Sequence, residues 1–343
     1  MRTFWDKQPV PHEGVTYEAG KEIEKERKMV NEPIELPDGF SWTEPSLQEA
    51  HKLLSEHYVC DETFKLRYSP NTLKWATELP GKGIRHTESG ELIGYISSAP
   101  MKVRVCDDIL DMVQINFLCI HPKYRDKGFA PILISEIKRI ANTNNIWQAV
   151  YTAVTKIPTP IVKSTYWHRF LNIKRLVKTG FYQTDRLREK YFELRGTSQF
   201  RKMTSKDIPK VTIILKKYFE QFKIAPVINK DWVKRWILPI NSYVNDETED
   251  FISFYEIPYD RVDNVDSVKQ AYAFYMVGDV YNDAFLIARN LGYDVFNTLD
   301  IGQLRTDLER LKFLKGSGHV YYYLFNWLPS SSIGSEDVQL KLP

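Results

Sequence analysis

The chain has 343 residues, of which 43% are hydrophobic and 13% aromatic, enough for a sizeable core and too many for a disordered chain. Its 47 basic and 44 acidic residues leave a net charge of +3, a balance that argues against a nucleic-acid partner. Cys60, Cys106 and Cys119 have no paired spacing, there is no signal peptide, and no apolar run reaches the ~18 residues of a membrane span. A cytoplasmic protein with no disulfide framework and no stable membrane insertion is therefore expected.

In chain order, residues 1–40 read as an arm, poor in periodic apolar positions and rich in charge. Its opening, Thr3-Phe4-Trp5-Asp6, carries two large aromatics that either plug a groove of their own domain or touch a ligand. The spacing of Leu47, Ala50, Leu53 and Leu54 predicts a helix over 46–58 with Ser46 as its N-cap. Leu92–Val105 and Met112–Ile120 read as a hairpin with a turn at Cys106-Asp107-Asp108. Residues 114–142 then form strand, loop and helix, the helix carrying Ile132, Leu133, Ile137 and Ile140 on one face. Gln148–Val154 is a strand, and residues 160–181 read as mainly helical, with Tyr166-Trp167-His168-Arg169 inside that helix.

The second half repeats this order. Residues 249–257 and 269–277 read as paired strands, 282–291 as a helix closed by Gly292, 293–299 as a strand, 305–313 as a helix and 319–327 as a long aromatic strand. The repetition predicts a duplicated fold with pseudo-twofold symmetry. The expected divisions are an arm at 1–40, a first half at 41–195 and a second at 196–343.

The turn before the helix at residue 131 reads Arg125-Asp126-Lys127-Gly128-Phe129-Ala130, an R-x-x-G-x-A spacing. Gly128 and Ala130 allow close backbone approach, Pro131 suits a first helical turn, and the free N–H groups at a helix start favour a phosphate. Most strand-turn-helix units bind nothing, so this spacing alone is a weak signal. The corresponding place in the second half, Asp279–Asn282, is acidic and would repel phosphate, so one copy is expected to hold a cofactor and the other a substrate.

The loop resembles the pyrophosphate loop of acyl-CoA-dependent acetyltransferases. The string Asn116-Phe117-Leu118-Cys119-Ile120-His121 is more specific and resembles the signature of the protein N-myristoyltransferases, a likeness that extends over nearly the whole chain. The resemblance implies an α/β protein (an α+β mixed sheet), a duplicated acetyltransferase-like (GNAT) fold. Its activity would be transfer of myristate from myristoyl-CoA to the N-terminal glycine of peptides or nascent proteins, by a monomer that binds neither nucleic acid nor metal. Myristoyl-CoA would be held by Phe4, Trp5, Phe117, Leu118, Cys119, Ile120, Arg125, Asp126, Lys127, Gly128, Phe129, Ala130 and Pro131. The peptide would meet Tyr58, Asp61, Phe64, Tyr68, Tyr166, His168, Phe181, Asn297, Leu299 and Ser317.

Acyl transfer to an amine needs a polarised carbonyl, a neutral amine and a base. The resemblance supplies the N–H groups of Phe117 and Leu118 as oxyanion donors, Asn116 and Thr152 as residues that orient the amine, and the terminal carboxylate at Pro343 as base. Residues 337–343 alternate in a strand-like way. A carboxyl pKa of roughly 3.5 is far below an α-amine near 7.8, so burial or close pairing must compensate. The chain departs from the family pattern at Val154, at Ser317 within Gly316-Ser317-Gly318, and at Pro343; Ser317 stands where the family has an aspartate facing a peptide lysine. Two rival readings are a non-catalytic acyl-CoA-binding protein and another acyl or aminoacyl transferase on the duplicated fold.

Overall fold

The hairpin at residues 92–120 carries two burial regimes that set the architecture. Leu92 to Ser97 are buried without alternation, as in a strand covered on both faces, while the distal part of the hairpin alternates between buried and more accessible residues. A helix supplies one cover, since Phe129, Leu133 and Ile137 pack onto Ile84, Ile93 and Ile96. The opposite face is covered by Leu53, Leu54, Val211 and Leu215, which share a core with Tyr95 and Phe117.

The computed structural model describes residues 2–77, 81–183, 189–302 and 307–343. The first elements are α1 (Arg2–Trp5), β1 (Phe40–Thr43), α2 (Leu47–His57), β2 (Phe64–Leu66), α3 (Pro70–Ala76), β3 (Lys82–His86), β4 (Leu92–Val105) and β5 (Asp108–Ile120). They are followed by α4 (Phe129–Thr143), β6 (Gln148–Ala153), β7 (Val162–Phe170), α5 (Ile173–Lys178), β8 (Arg201–Lys202), α6 (Ile208–Phe219), β9 (Ile224–Pro226) and α7 (Lys230–Trp236). The chain continues with β10 (Asn241–Val244), β11 (Phe251–Glu256), β12 (Tyr259–Arg261), β13 (Ser267–Val268), β14 (Gln270–Val277), α8 (Tyr281–Asn290), β15 (Val295–Leu299) and β16 (Leu314–Phe325). Ser46 does cap α2, reciprocally with Glu49.

The main sheet runs β1-β3-β4-β5-β6-β16-β7-β15-β14-β11-β10-β8, with β9 beside β4. Outward from the central pair β16–β7, each side repeats one pattern. An antiparallel pair (β4–β5, β11–β14) leads through a helix (α4, α8) to a parallel strand (β6 beside β5, β15 beside β14). This is the duplicated, pseudo-twofold acetyltransferase-like arrangement. The two repeats exchange their last strands: β7 follows β6 in sequence but pairs with β15, and β16 follows β15 but pairs with β6. The centre of the sheet therefore belongs to both repeats.

Two expected helices are corrected. Residues 162–170 form strand β7, bonded to β15 on one side and β16 on the other, and only Ile173–Lys178 of the expected helix is helical. The run Val-Lys-Ser-Thr-Tyr-Trp-His-Arg-Phe has β-branched and aromatic chemistry that suits a doubly paired strand. In the stretch expected to be helical at 305–313, residues 305 and 306 lie outside the described residues, and 307–312 form turns. Helix α6 is not among the expected elements, although Val211, Ile214, Leu215 and Phe219 lie on its buried face.

Candidate active site

Strand β5 leaves both neighbours at one place. Its pairing with β4 jumps from Ser97↔Asn116 to Tyr95↔Cys119, so Phe117 and Leu118 together face Ile96 in a β-bulge. Its pairing with β6 ends at Ile115↔Tyr151. Phe117 sits at φ 57, uncommon for a bulky residue and sustained only by packing. Its ring is buried between Tyr68 at 5.0 Å and Tyr58 at 5.7 Å. Where β5 and β6 part, a cavity of about 1000 Å³ opens, lined by Asn116, Phe117, Leu118 and Thr152.

One end of the cavity is apolar. Val113 and Ile115 of β5, Ile134, Ile137 and Ala141 of α4, Ala149 and Phe325 form its wall. The α4 residues were not among the expected site positions, although spacing by three and four places them on one helix face. Trp5 lines this end too, buried and stacked on Tyr151 at 6.2 Å, which stacks on Tyr323 at 5.1 Å. Phe4 meets Trp5 edge-on at 5.3 Å. Trp5 is thus both plug and cavity wall. Among the described residues its Nε1, the Asn116 Nδ2 and the Tyr151 hydroxyl are buried without a hydrogen-bond partner.

The loop before α4 has Asp126 and Gly128 in left-handed conformations, at φ 60 and φ 86. A Cβ on Gly128 would meet nothing within 4 Å, so conformation, not space, favours glycine there. Gly128 occupies the N-cap position of α4, and Pro131 sits in its first turn. Arg125 holds the loop in place: its Nε donates to the Ile120 carbonyl (3.0 Å) and its Nη2 to the His57 carbonyl (2.7 Å). Lys127 stands over the Tyr124 ring at 5.3 Å. The Cys119, Ile120 and Phe129 side chains are in the core, burial pushing the Cys119 thiol up to about 12. These three can approach a ligand only through backbone, whereas Ala130 lines the cavity.

At the other end the cavity meets Tyr58, Asp61, Tyr68, Tyr166, His168, Phe181 and Ser317, all expected, and Tyr259, Gln270 and Tyr272, which were not. Phe64 does not reach it; its ring is buried, stacked on Tyr259 at 4.8 Å and edge-on to Phe181 at 6.1 Å. Asn297 is fully buried and acts behind the wall, accepting from His168 Nδ1 (2.7 Å) and donating to the Gln270 Oε1. Leu299 pairs with Tyr166 and packs into a neighbouring core. Burial lowers the His168 pKa more than the Asn297 bond raises it, which keeps the ring neutral. For Asp61, burial pushes the pKa up, but the Tyr259 hydroxyl and the Phe64 and Thr63 amides outweigh it and hold the carboxyl below its usual range.

Residues 338–343 run inward. Val338 and Leu340 are fully buried, Gln339 N–H donates to the Ile224 carbonyl (2.8 Å), and Lys341 N–H donates to the Tyr275 hydroxyl (3.3 Å). Val338 makes one parallel bridge to Ile224, and the segment is otherwise irregular, not a strand. Leu342 and Pro343 end at the wall of the cavity that contains the β5 bulge.

Gly316 fixes how β16 passes His168. The β16–β7 register shifts between Lys315 and His319, and a Cβ on Gly316 would overlap the His168 ring and lie 2.9 Å from the Tyr166 carbonyl. Gly316→Ala is expected to displace His168 and break its bond to Asn297, costing about 1–3 kcal/mol. Thermal melting checks this, and a wild-type midpoint refutes it.

Among the described residues no group of three or more His, Cys, Asp or Glu side chains is placed to hold a metal ion, and no helix is long and apolar enough to cross a membrane. Models of the N-terminal and C-terminal domains of myristoyl-CoA:protein N-myristoyltransferase match residues 21–164 and 183–339. Glycylpeptide N-tetradecanoyltransferase 2 of Danio rerio is 39% identical, over 94% of this chain and 74% of that protein. A Saccharomyces cerevisiae N-myristoyltransferase solved with bound myristoyl-CoA superposes with a TM-score of 0.90 at 27% identity, over 98% of this chain and 91% of the yeast chain. A GCN5-related N-acetyltransferase of Anabaena variabilis shares the fold alone, at a TM-score of 0.50 and 14% identity over 83% of this chain and 72% of that one.

Proposed function

The chain belongs to the myristoyl-CoA:protein N-myristoyltransferase family, and from that membership and the site geometry we propose how it carries out the family reaction. It is a glycylpeptide N-tetradecanoyltransferase, moving myristate from myristoyl-CoA to the N-terminal glycine of a peptide. The supporting observation is that one cavity is lined by the β5 bulge, by Thr152 and by Pro343.

The acyl chain occupies the apolar end, between α4 and the aromatic stack of Trp5 and Tyr151. The pyrophosphate lies against the N-terminus of α4, where unpaired N–H groups and the helix dipole favour an anion. The thioester carbonyl oxygen points at the N–H groups of Phe117 and Leu118, at the bulge where the register with β4 shifts. Asn116 and Thr152 orient the glycine amine.

The carboxylate at Pro343 takes a proton from the ammonium, and the neutral amine attacks the thioester carbon. The tetrahedral oxyanion is held by the two backbone donors until the C–S bond breaks, and the second proton of the attacking nitrogen passes to the departing sulfur, so that a neutral amide forms and CoA leaves as the thiol. The step as written calls for no metal. Holding such an oxyanion is typically worth about 2.7–4 kcal/mol per donor. The peptide lies along Tyr58, Tyr68, Tyr166, His168 and Phe181.

The test is mass spectrometry of peptides beginning Gly or Ala, incubated with the protein and myristoyl-CoA, acetyl-CoA or palmitoyl-CoA. One myristoyl mass on the Gly peptide alone supports the reading. Tight myristoyl-CoA binding with no acylated Gly peptide would leave an acyl-CoA-binding protein instead.

A further inference from the structure

The outer end of the cavity carries charge that the chemistry above does not use. Among the described residues Asp61 is the one side-chain carboxylate that lines the cavity, and its oxygens are already committed. Oδ1 accepts from the Thr63 and Phe64 amides at 2.8 and 2.6 Å, and Oδ2 from the Tyr259 hydroxyl at 2.6 Å. A cationic peptide side chain would have to compete with all three bonds.

The β16 side of the same cavity is basic. Lys315 and His319 flank Gly316-Ser317-Gly318, and neither has a hydrogen-bond or ion-pair partner among the described residues. Lys163, whose register partner on β16 is Tyr321, stands over the Tyr321 ring at 5.8 Å, and His319 packs edge-on against that ring at 5.2 Å. Asp300, which bonds to β7, is also occupied. It accepts from Thr165 N–H at 2.6 Å, Ser164 Oγ at 2.9 Å and Trp167 Nε1 at 3.4 Å. Among the described residues Lys315 therefore brings an unpaired positive charge to the part of the cavity whose side-chain carboxylate is spent, and the exposed Ser317 hydroxyl sits between Lys315 and His319.

We propose that this end of the cavity selects peptides with an acidic side chain a few residues downstream of the N-terminal glycine, with Lys315, His319 and Ser317 as the specificity-determining residues. The inference rests on the peptide-acylating reading and adds to it which sequences are taken. An accessible contact of this kind changes affinity by about fivefold. Salt weakens it, because the groups are solvent-reachable. A lysine at the same place meets the Lys315 ammonium, so it binds more weakly than a neutral residue.

The experiment uses the full chain with a non-hydrolysable thioether analogue of myristoyl-CoA and fluorescent Gly peptides in which Glu, Gln or Lys is moved along the downstream positions. Peptide Kd is read by anisotropy, and acyl transfer from myristoyl-CoA is read in parallel. At one position Glu should bind about fivefold tighter than Gln and Lys more weakly than Gln, with the spread shrinking in high salt. Lys315→Glu should invert that order. Equal binding of Glu and Lys peptides, preference for Lys, or an order unchanged by Lys315→Glu would overturn the proposal. If the order is found but no peptide is acylated, the selectivity stands and the catalytic reading falls.

Discussion

Removing Leu342 and Pro343 should lower kcat by about 10²–10⁴-fold, the range for loss of a positioned base, while leaving myristoyl-CoA affinity near its wild-type value. The shortened chain still ends in a carboxylate, but at Lys341, whose backbone is held by Tyr275 upstream of the cavity wall. The acyl-binding wall of Ile134, Ile137, Ala141, Trp5 and Phe325 is untouched. Val338 and Leu340, the fully buried anchors of the segment, remain, so the variant should fold. Adding one glycine after Pro343 is the complementary change, converting that carboxylate to an amide and moving the charge outward. Single-turnover acyl transfer, with calorimetric binding of myristoyl-CoA, separates the two effects. Transfer within threefold of wild type by either variant would remove the terminal carboxylate from the mechanism.

What the sequence made legible was the local part of the site. The hairpin and α4 follow from alternation and helical spacing, and Gly128 from a turn that needs a left-handed residue. The pairing that makes the cavity was not legible. Phe117 at φ 57 looks in sequence like any strand phenylalanine; its conformation is imposed by the Tyr58–Tyr68 cluster and the register jump opposite Ile96. Strand β7 departs from its expected helix for the same reason. Its partners, β15 and β16, lie more than a hundred residues away, and the exchange that brings them together leaves no periodic mark within residues 162–170. Asn297 and Leu299 were assigned to the peptide from resemblance, but the fold puts them behind His168 and Tyr166, one layer from the cavity.

Arg169, set in strand β7, should be among the costliest single positions for stability. It is 2% exposed in the middle of β7, and its guanidinium donates to three carbonyls: Phe170 (2.5 Å), Leu311 (3.1 Å) and Phe192 (3.1 Å). The same group lies 4.9 Å from the Phe192 ring and 5.2 Å from the Phe285 ring, and among the described residues no carboxylate forms an ion pair with it. Burial pulls its pKa down to about 10, with Tyr191 opposing, so it stays charged at neutral pH. Its stabilisation comes from the planar fork, which ties the β7 strand to the segments at 192 and 311. Arg169→Lys retains a buried charge but loses the fork, leaving carbonyls without donors; Arg169→Met leaves the same carbonyls unpaired but removes the cost of burying a cation. Both should lose about 3–5 kcal/mol, and Lys should be at least as damaging as Met. In thermal melts this corresponds to a fall of roughly 4–7 °C. A Lys variant that melts with the wild type would show that charge alone, and not the fork, holds the three segments together.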